Sequence, residues 1–351
     1  MAADPRLFLV RAGGAGEDEE YVLENDLAVI GFTDYPSFEK AADYEQVFSI
    51  ISKAAPEMKP RAKGNHAGQL WAFALDMKPG DMVVLPRKQT DQIALGVVAG
   101  PYRYQEIAGE MRHTRPVKWL RPDVSRTVFG QDLLYSFGAF LTVCNIKRND
   151  AVARVKAVLA GEKDPGWTGE AGSVGTPAQP SAEIPEDSDV DLATLAHDQI
   201  LKRIEARFQK HDLTRLVEAV LRADDWHTRL SPPGPDGGVD ILAGRGPLGL
   251  DHPRLCVQVK SQGSPADVTV YRTLQGSMQS FKADQGLLVC WGGFNKAVLA
   301  ESRQGHFTVR LWDSRELVEA VYRTFSRLPE EIQAELPLKQ VWMLVGGVRD
   351  E

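Results

Sequence analysis

Only three of the 351 residues are cysteine, Cys144, Cys256 and Cys290. They are odd in number, far apart and set in apolar runs, which excludes a disulfide framework and a zinc cage and points to a reducing, cytoplasmic compartment. No stretch approaches the roughly eighteen uncharged apolar residues of a membrane span, and the opening MAADPRLFLV has no basic segment leading into a long apolar core, so no membrane partner is expected. The seven histidines are scattered without metal-ligand spacing. A Walker loop, a GxSxG elbow and a GxGxxG turn are all missing, which removes a built-in nucleotide-driven motor, a hydrolase of the serine type and a dinucleotide enzyme. A basic excess is missing too, since the net charge is −7, and this counts against a polyanion binder until the charges are located.

Their location weakens that objection. Residues 151–195 hold three basic against eight acidic side chains, whereas 1–150 hold 18 against 20 and 196–351 hold 20 against 20. Most of the acidity therefore lies in a connector, and its sequence from Gly161, GEKDPGWTGEAGSVGTPAQPSAEIPEDSDVD, is rich in Gly, Pro, Ser and acids with almost no apolar periodicity. Such a segment buries too little surface to offset its ordering entropy, and we read 161–194 as a flexible linker between a domain at 1–160 and another at 195–351. The composition, 43% hydrophobic and 25% charged, is that of an ordinary globular chain. Two basic stretches stand out locally, Lys53 to Lys63 and Arg112 to Arg126.

In the second half, GGVDILAGRGPLGLDHPRLCVQVK (Gly237 to Lys260) sets an acid on one apolar run and an amide and a lysine on the next. With a period of two, Val257 and Val259 face one way and Cys256, Gln258 and Lys260 the other. If the runs pair as a hairpin, Asp240, Gln258 and Lys260 converge. A carboxylate and a carbonyl oxygen suit a hard divalent cation, and the ammonium suits the charge that builds on a phosphate during hydrolysis. Asp236, just upstream, reads as a turn former.

DGGVDIL, VQVK, QGLLVCWGGFNKAVLAES and RLWDSRELV, in that order, resemble the catalytic domain of the Mrr-like restriction endonucleases, a branch of the PD-(D/E)xK nuclease superfamily that writes its second half-motif as QxK. The resemblance covers about residues 196 to 325. It implies an α/β core with a mixed central sheet, a Mg²⁺ (or Mn²⁺) site and DNA as substrate, with Asp240 and Gln258 as metal ligands and Lys260 as the catalytic lysine. One position departs: where the family carries a glutamate on the helix before the Asp strand, LTRLVEAVLRADDW has Thr214. Glu218 stands about one helical turn later and shares a helix face with it, which makes Glu218 a candidate third ligand.

The first domain reads as short strands with a few helices, an α+β pattern whose economical assembly is a small β-barrel with helices on its flank. MKPGDMVVLPRK, IALGVVAGPYRY and HTRPVKWL resemble the PUA-like superfamily, especially domains of the EVE and YTH type, which implies a pocket for a single, often modified, base flipped out of nucleic acid. Such a pocket needs aromatic faces and basic groups on the backbone. Trp71, Tyr102 and Tyr104 are the aromatic candidates beside Phe32 and Trp119, and Arg61, Lys63 and Asn65, with His66, the polar ones. Trp71 and Trp119 also fit core positions, and Tyr102 and Tyr104, at a strand end, are expected to be the more exposed.

Together these features describe a two-domain α/β chain that reads a base with its first domain and cuts double-stranded DNA with its second. Modification-dependent (type IV) restriction of foreign DNA is the task expected. Cutting two strands with one site per chain calls for a homodimer or larger assembly. A structure-specific repair nuclease, and a catalytically inactive nucleic-acid-binding module left by Thr214, are the alternatives.

Overall fold

The computed structural model describes residues 4–139, 141–167, 192–231 and 238–342. Asp236, Gly237 and most of the expected linker lie outside them. The described chain divides into two compact units, one holding residues 4–167 and 192–198, the other the described residues from 199 on.

In the first unit the order is β1 (Leu7–Val10), α1 (Glu19–Glu24), β2 (Leu27–Ile30), α2 (Tyr44–Ala54), α3 (Pro60–Trp71), a π-helical turn (Ala72–Asp76), β3 (Met82–Pro86), β4 (Gln92–Val98), β5 (Arg103–Ile107), β6 (Glu110–Ser125), α4 (Gln131–Phe137), β7 (Val143–Ile146) and α5 (Ala151–Leu159). Alternation along β1 explains the layering. Phe8 and Val10 join a core with Val47, Ile51, Leu70 and Phe73 from α2, α3 and the π-turn. Leu7 and Leu9 join another with Leu133, Phe137, Val155 and Val158 from α4 and α5. Each of these fully buried side chains contributes about 1.5–3 kcal/mol.

The sheet runs β2-β6-β4-β3-β1-β7, with β5 paired to β6. Where the sequence reading expected a small β-barrel, the described strands form a half-barrel sheet, with no ladder between β2 and β7 among the described residues. The long β6 serves β2 and β5 with its first half and β4 with its second, through two register irregularities. Packing also continues past α5. Asp164 is 2% exposed and accepts bonds of 2.6 Å from Gly130 N and from Nε and Nη2 of Arg154, so the chain stays bound to this unit beyond residue 160.

The elements that follow are α6 (Leu192–Arg207), α7 (His211–Ala223), β8 (His227–Leu230), β9 (Ile241–Arg245), β10 (Asp251–Lys260), α8 (Val268–Phe281), β11 (Gln285–Cys290), α9 (Lys296–Ser302), β12 (Val309–Trp312), α10 (Ser314–Thr324) and α11 (Glu330–Glu335). The strands make a mixed sheet in the order β12-β11-β10-β9-β8. β8, β9 and β10 pair antiparallel, and β11 and β12 continue parallel to β10. Ile241, Ala243, Val257, Val259, Leu287 and Val289 pack on the apolar stripes of α7 and α10. Cys256 and Leu288, on the opposite face, pack on Tyr271, Leu274 and Met278 of α8. Side chains cap the helix starts: Asp267 caps α8, Asn295 caps α9, and Asp313 with Glu316 forms a capping box on α10. All three cysteines are free thiols.

Candidate active site and aromatic cluster

The β9–β10 register, Ile241 opposite Val257 and Leu242 opposite Cys256, sets Asp240 opposite Gln258 one step further on. The backbone N–H of Asp240 donates to Val257 O at 2.8 Å, and its Oδ2 accepts the Val259 N–H at 2.7 Å. The carboxylate thus takes the ladder bond that a strand carbonyl would take, and this fixes its direction. Gln258 and Lys260 alternate with Val257 and Val259 and so lie on the α8 face, with Lys260 in register with Cys290 of β11. The structure therefore brings Asp240, Gln258 and Lys260 together on one side of the sheet.

Gly238 closes the approach to this spot. Its φ is +79°, and a Cβ there would lie 3.0 Å from Thr273 Cγ2 and 3.2 Å from Gln258 Nε2. Only glycine lets the chain turn in this conformation between α8 and the Gln258 amide.

Gln258 is 4% exposed, and among the described residues its Oε1 is buried without a hydrogen-bond partner. An unsatisfied buried carbonyl costs about 1–3 kcal/mol, and groups of this kind in folded proteins are few. A hard cation, which takes carboxylate and carbonyl oxygens, would satisfy it beside Asp240. The donor set fits such an ion. Among the described residues no three His, Cys, Asp or Glu side chains form a metal cluster, so this pairing of one acid with one amide is what the sheet offers.

Glu218 does not join them. Thr228 pairs with Ala243, which pairs with Leu255, and these lie on the face covered by α7. Glu218 Oε1 accepts the Thr228 hydroxyl at 2.8 Å on that face, while Gln258 and Lys260 point to the other. The expectation of Glu218 as a third ligand is corrected on this ground: one helical turn moves a side chain along its helix and does not carry it through the sheet.

In the first unit, the aromatic candidates separate. Tyr102 is 8% exposed; its hydroxyl meets His113 Nδ1 at 2.7 Å and accepts the Phe38 N–H at 3.3 Å. Burial pushes that phenol up to about 12. Tyr102 is therefore a core residue, contrary to its expected exposure at a strand end. Trp119 is also an anchor, with Nε1 donating to Val22 O and Leu27 O. Trp71 is half-buried, edge-on to Tyr44 at 6.4 Å, and Tyr104 is half-buried with its hydroxyl on Tyr35 O at 3.3 Å. Along α3, Arg61 and Asn65 are exposed, Lys63 Nζ donates to Pro56 O, and Asn65 Oδ1 accepts from Gln69.

The residue that organises this cluster is one the sequence did not single out as such. His113 is fully buried between Phe38, Tyr102 and Tyr104, with ring centroids at 5.4, 6.0 and 5.0 Å. Its Nε2 lies 3.2 Å from Phe32 O. A carbonyl only accepts, so Nε2 carries the proton and Nδ1 accepts from Tyr102. Phe32 is held by this bond at φ +67°, a conformation unusual for an aromatic residue, and its ring meets His66 at 5.0 Å. Burial pushes the His113 imidazole down to about 4, which keeps it neutral.

Of the neighbouring arginines, Arg115 and Arg126 are buried as well and Arg112 is half-buried. Arg115 is 3% exposed and donates to the carbonyls of Phe73, Ala74 and Gly100, and Arg112 pairs with Asp18. The basic stretch from Arg112 to Arg126 thus spends three of its basic side chains, His113, Arg115 and Arg126, inside the fold.

Comparison with known proteins supports part of this reading. Residues 205–321 match the model of the restriction endonuclease family Mrr_cat, and residues 8–132 match a domain of unknown function, DUF8426. No curated protein matches. Two solved structures are similar. One is the DNA modification-dependent restriction endonuclease AspBHI, at 14% identity and a TM-score of 0.32 over 89% of this chain and 79% of that one. The other is the MspJI restriction endonuclease in complex with a 27-mer oligonucleotide, at 12% identity and a TM-score of 0.31 over 95% and 80%. Scores this low leave the argument to the family match, which encloses Asp240, Gln258 and Lys260. What the comparisons show is a match of residues 205–321, within the second unit, to a restriction endonuclease family.

Proposed function

We propose that the chain is a metal-dependent DNA endonuclease that restricts DNA bearing modified bases, with Asp240, Gln258 and Lys260 as its active site. The observation that carries this reading is the buried, unpartnered Gln258 carbonyl beside Asp240, inside the segment that matches the restriction endonuclease family. Asp240 and Gln258 would hold Mg²⁺ or Mn²⁺, which when bound polarises a phosphate oxygen and lowers the pKa of a water. Lys260, on the same face, meets the negative charge that builds on the phosphorus oxygens as water attacks and the P–O bond to the leaving strand breaks. Gly238, having no side chain, leaves the Gln258 amide uncrowded. The Val259 N–H holds Asp240 in its orientation without competing for a proton.

In this reading the unit holding residues 4–167 is a PUA-like reader and the unit holding the described residues from 199 on is the cutting domain. The half-buried rings of Phe32, Trp71 and Tyr104 with His66 would face an extruded base, and Arg61, Lys63 and Asn65 its backbone. Double-strand cleavage would then need a homodimer or larger assembly, because each chain supplies one site. Cytoplasmic action accords with the free thiols, and among the described residues no helix is long and apolar enough to cross a membrane.

The test is cleavage of phage DNAs that differ in base modification, with Mg²⁺ or Mn²⁺. Wild type should cut one modified DNA, and Asp240→Ala and Lys260→Ala should each lose at least about two orders of magnitude in rate. Equal cutting of all DNAs removes the modified-base reading and keeps the nuclease, and a preference for forks or flaps moves it to repair. A second reading has its own observation: with Thr214 in the glutamate position and Glu218 on the other face, the second unit could bind DNA without cutting it. Intact binding with no cleavage by wild type would select that reading.

A further inference from the structure

The geometry points to a second DNA site on the second unit, away from Asp240 and Lys260, that takes one unpaired nucleotide, its base against Phe307 and Trp312 and its phosphate against Arg310. The site is a cleft of about 220 Å³ where β11 and β12 begin. Leu221, Leu255 and Leu287 make its apolar floor, and Trp226, Phe307 and Trp312 its walls. Pockets for drug-sized molecules begin at about 300 Å³, so the room here is for one ring system. Strand alternation sets the cleft on the face away from the active site. Val309 and Leu311 pack with α8, so Arg310 and Trp312 face the α7 and α10 side, where Leu287, the partner of Arg310 in the ladder, is buried. Along β10, Leu255 in the cleft and Lys260 in the active site are about 17 Å apart at the rise of an extended strand. A phosphate at Lys260 therefore leaves the cleft empty, and the site does not rest on the cleavage reading.

Two properties of the cleft choose its ligand. Its aromatic surface is offered to solvent: Phe307 is 91% exposed, and Trp312 is half-buried beside it. Trp226 is braced from one side by the Arg245 guanidinium, 4.1 Å from its ring centroid. The rim is positive. Arg310 is exposed on it. Asp224, the carboxylate of the lining, has both oxygens engaged, by Arg323 at 2.7 Å and Arg327 at 3.2 Å, and those two arginine side chains remain 58% and 50% exposed. Asp225, the next residue, is exposed as well. Arg245, Arg310, Arg323 and Arg327 thus stand around two carboxylates, in a chain whose net charge is −7. An uncharged apolar peptide would fill the floor and leave this rim unmatched. A nucleotide matches both, because its base stacks on aromatic faces and its phosphate meets guanidinium groups. A base inside a duplex already has both faces stacked, so the cleft selects unpaired strand. Gln285 and Thr308, both exposed in the lining, can bond to the edge of the base.

The experiment is fluorescence anisotropy of labelled octathymidylate on the full chain in chelator, where no cleavage occurs. The same strand carrying iododeoxyuridine is then photocrosslinked and the linked peptide mapped. Wild type and Lys260→Ala should bind the strand alike, and blunt duplex should compete more weakly than single strand. Phe307→Ala should weaken binding by about 5- to 100-fold, and Phe307→Trp should keep it. Arg310→Ala should lower the slope of log affinity against log salt by about 0.7. Both side chains are exposed, so neither change puts the fold at stake. The crosslink should fall between Arg303 and Trp312. Unchanged affinity and salt slope in Phe307→Ala and Arg310→Ala overturn the inference, as does the absence of strand binding in every arm. A crosslink confined to the first unit, near Phe32, Trp71 or Tyr104, also overturns it and leaves the base-reading proposal standing. If Phe307→Ala leaves strand binding intact and instead lowers the mass of the assembly in sedimentation, the cleft is an interface between copies and the inference falls. Loss of cleavage in Asp240→Ala or Lys260→Ala with strand binding kept bears on the active site alone, and it supports a separate site.

Discussion

Replacing Gln258 by methionine should separate what this residue costs the fold from what it does for the cation. In the absence of metal, the buried Oε1 without a donor costs about 1–3 kcal/mol. Methionine has a similar volume, no carbonyl, and a flexible thioether that fits irregular space. The apolar side chain should therefore leave the second unit as stable as before or stabilise it by about 1–2 kcal/mol, which at this size is a rise of about 2–8 °C in its transition. Metal reverses the order. With Mn²⁺ and DNA at about a hundred times their dissociation constants, the wild type gains about 2.7 kcal/mol for each site filled, and the variant, without the oxygen donor, gains less. Urea unfolding followed by tryptophan fluorescence, with chelator and then with Mn²⁺ and duplex, reads both halves. A variant that loses more than about 1 kcal/mol in chelator would mean that the Gln258 carbonyl has a partner in the folded protein, and the basis for the cation site would go with it.

Other outcomes follow from the same geometry. Glu218→Gln keeps an acceptor for the Thr228 hydroxyl and should leave Mn²⁺ uptake unchanged, while Glu218→Ala should cost about 1 kcal/mol of stability; loss of uptake in the Gln variant would return Glu218 to the site. His113 gives a pH dependence. Its folded pKa of about 4 lies below the ordinary 6.5, so below pH 6.5 the unfolded chain takes up a proton that the folded one refuses. The stability this burial permits is complete above about 6.5 and falls until about pH 4, by about 3 kcal/mol in all. A urea midpoint for the first unit that falls across this window in the wild type and is flatter in His113→Gln fits that account, and parallel slopes refute it.

How much of this could be read from the sequence depends on whether a feature is local. The alternation LCVQVK fixed the faces of Val257, Gln258 and Lys260 because a strand's period is two whatever it pairs with. The hairpin partner for Asp240 was legible from a glycine- and proline-bearing turn between two apolar runs, and the capping box at Asp313 and Glu316 from spacing alone. The sheet order was not. Strand-like runs announce strands, but nothing in β2 or β7 says whether their edges meet, and among the described residues they do not. Tyr102 failed for a related reason: its position beside Gly100 and Pro101 suggested an exposed strand end, and the partner that buries it, His113, comes from the next strand across a turn. Arg115 looked like surface charge because sequence shows a guanidinium and not the three carbonyls of the π-turn and its neighbour that receive it.

The fate of Glu218 joins these points to the chemistry. Helical periodicity correctly set it on the same face of α7 as Thr214, but which face of the sheet α7 covers is decided by where its stripe of Leu213, Leu216, Val217 and Val220 is buried. That stripe packs on Val257 and Val259, the residues that alternate with Gln258 and Lys260. Any side chain of α7 that bonds down onto the strands at the level of Thr228 therefore meets the side of the sheet away from the amide and the ammonium. The acid is used to tie the edge strand β8 to α7 instead, and the site is left with the single carboxylate of Asp240 among the described residues.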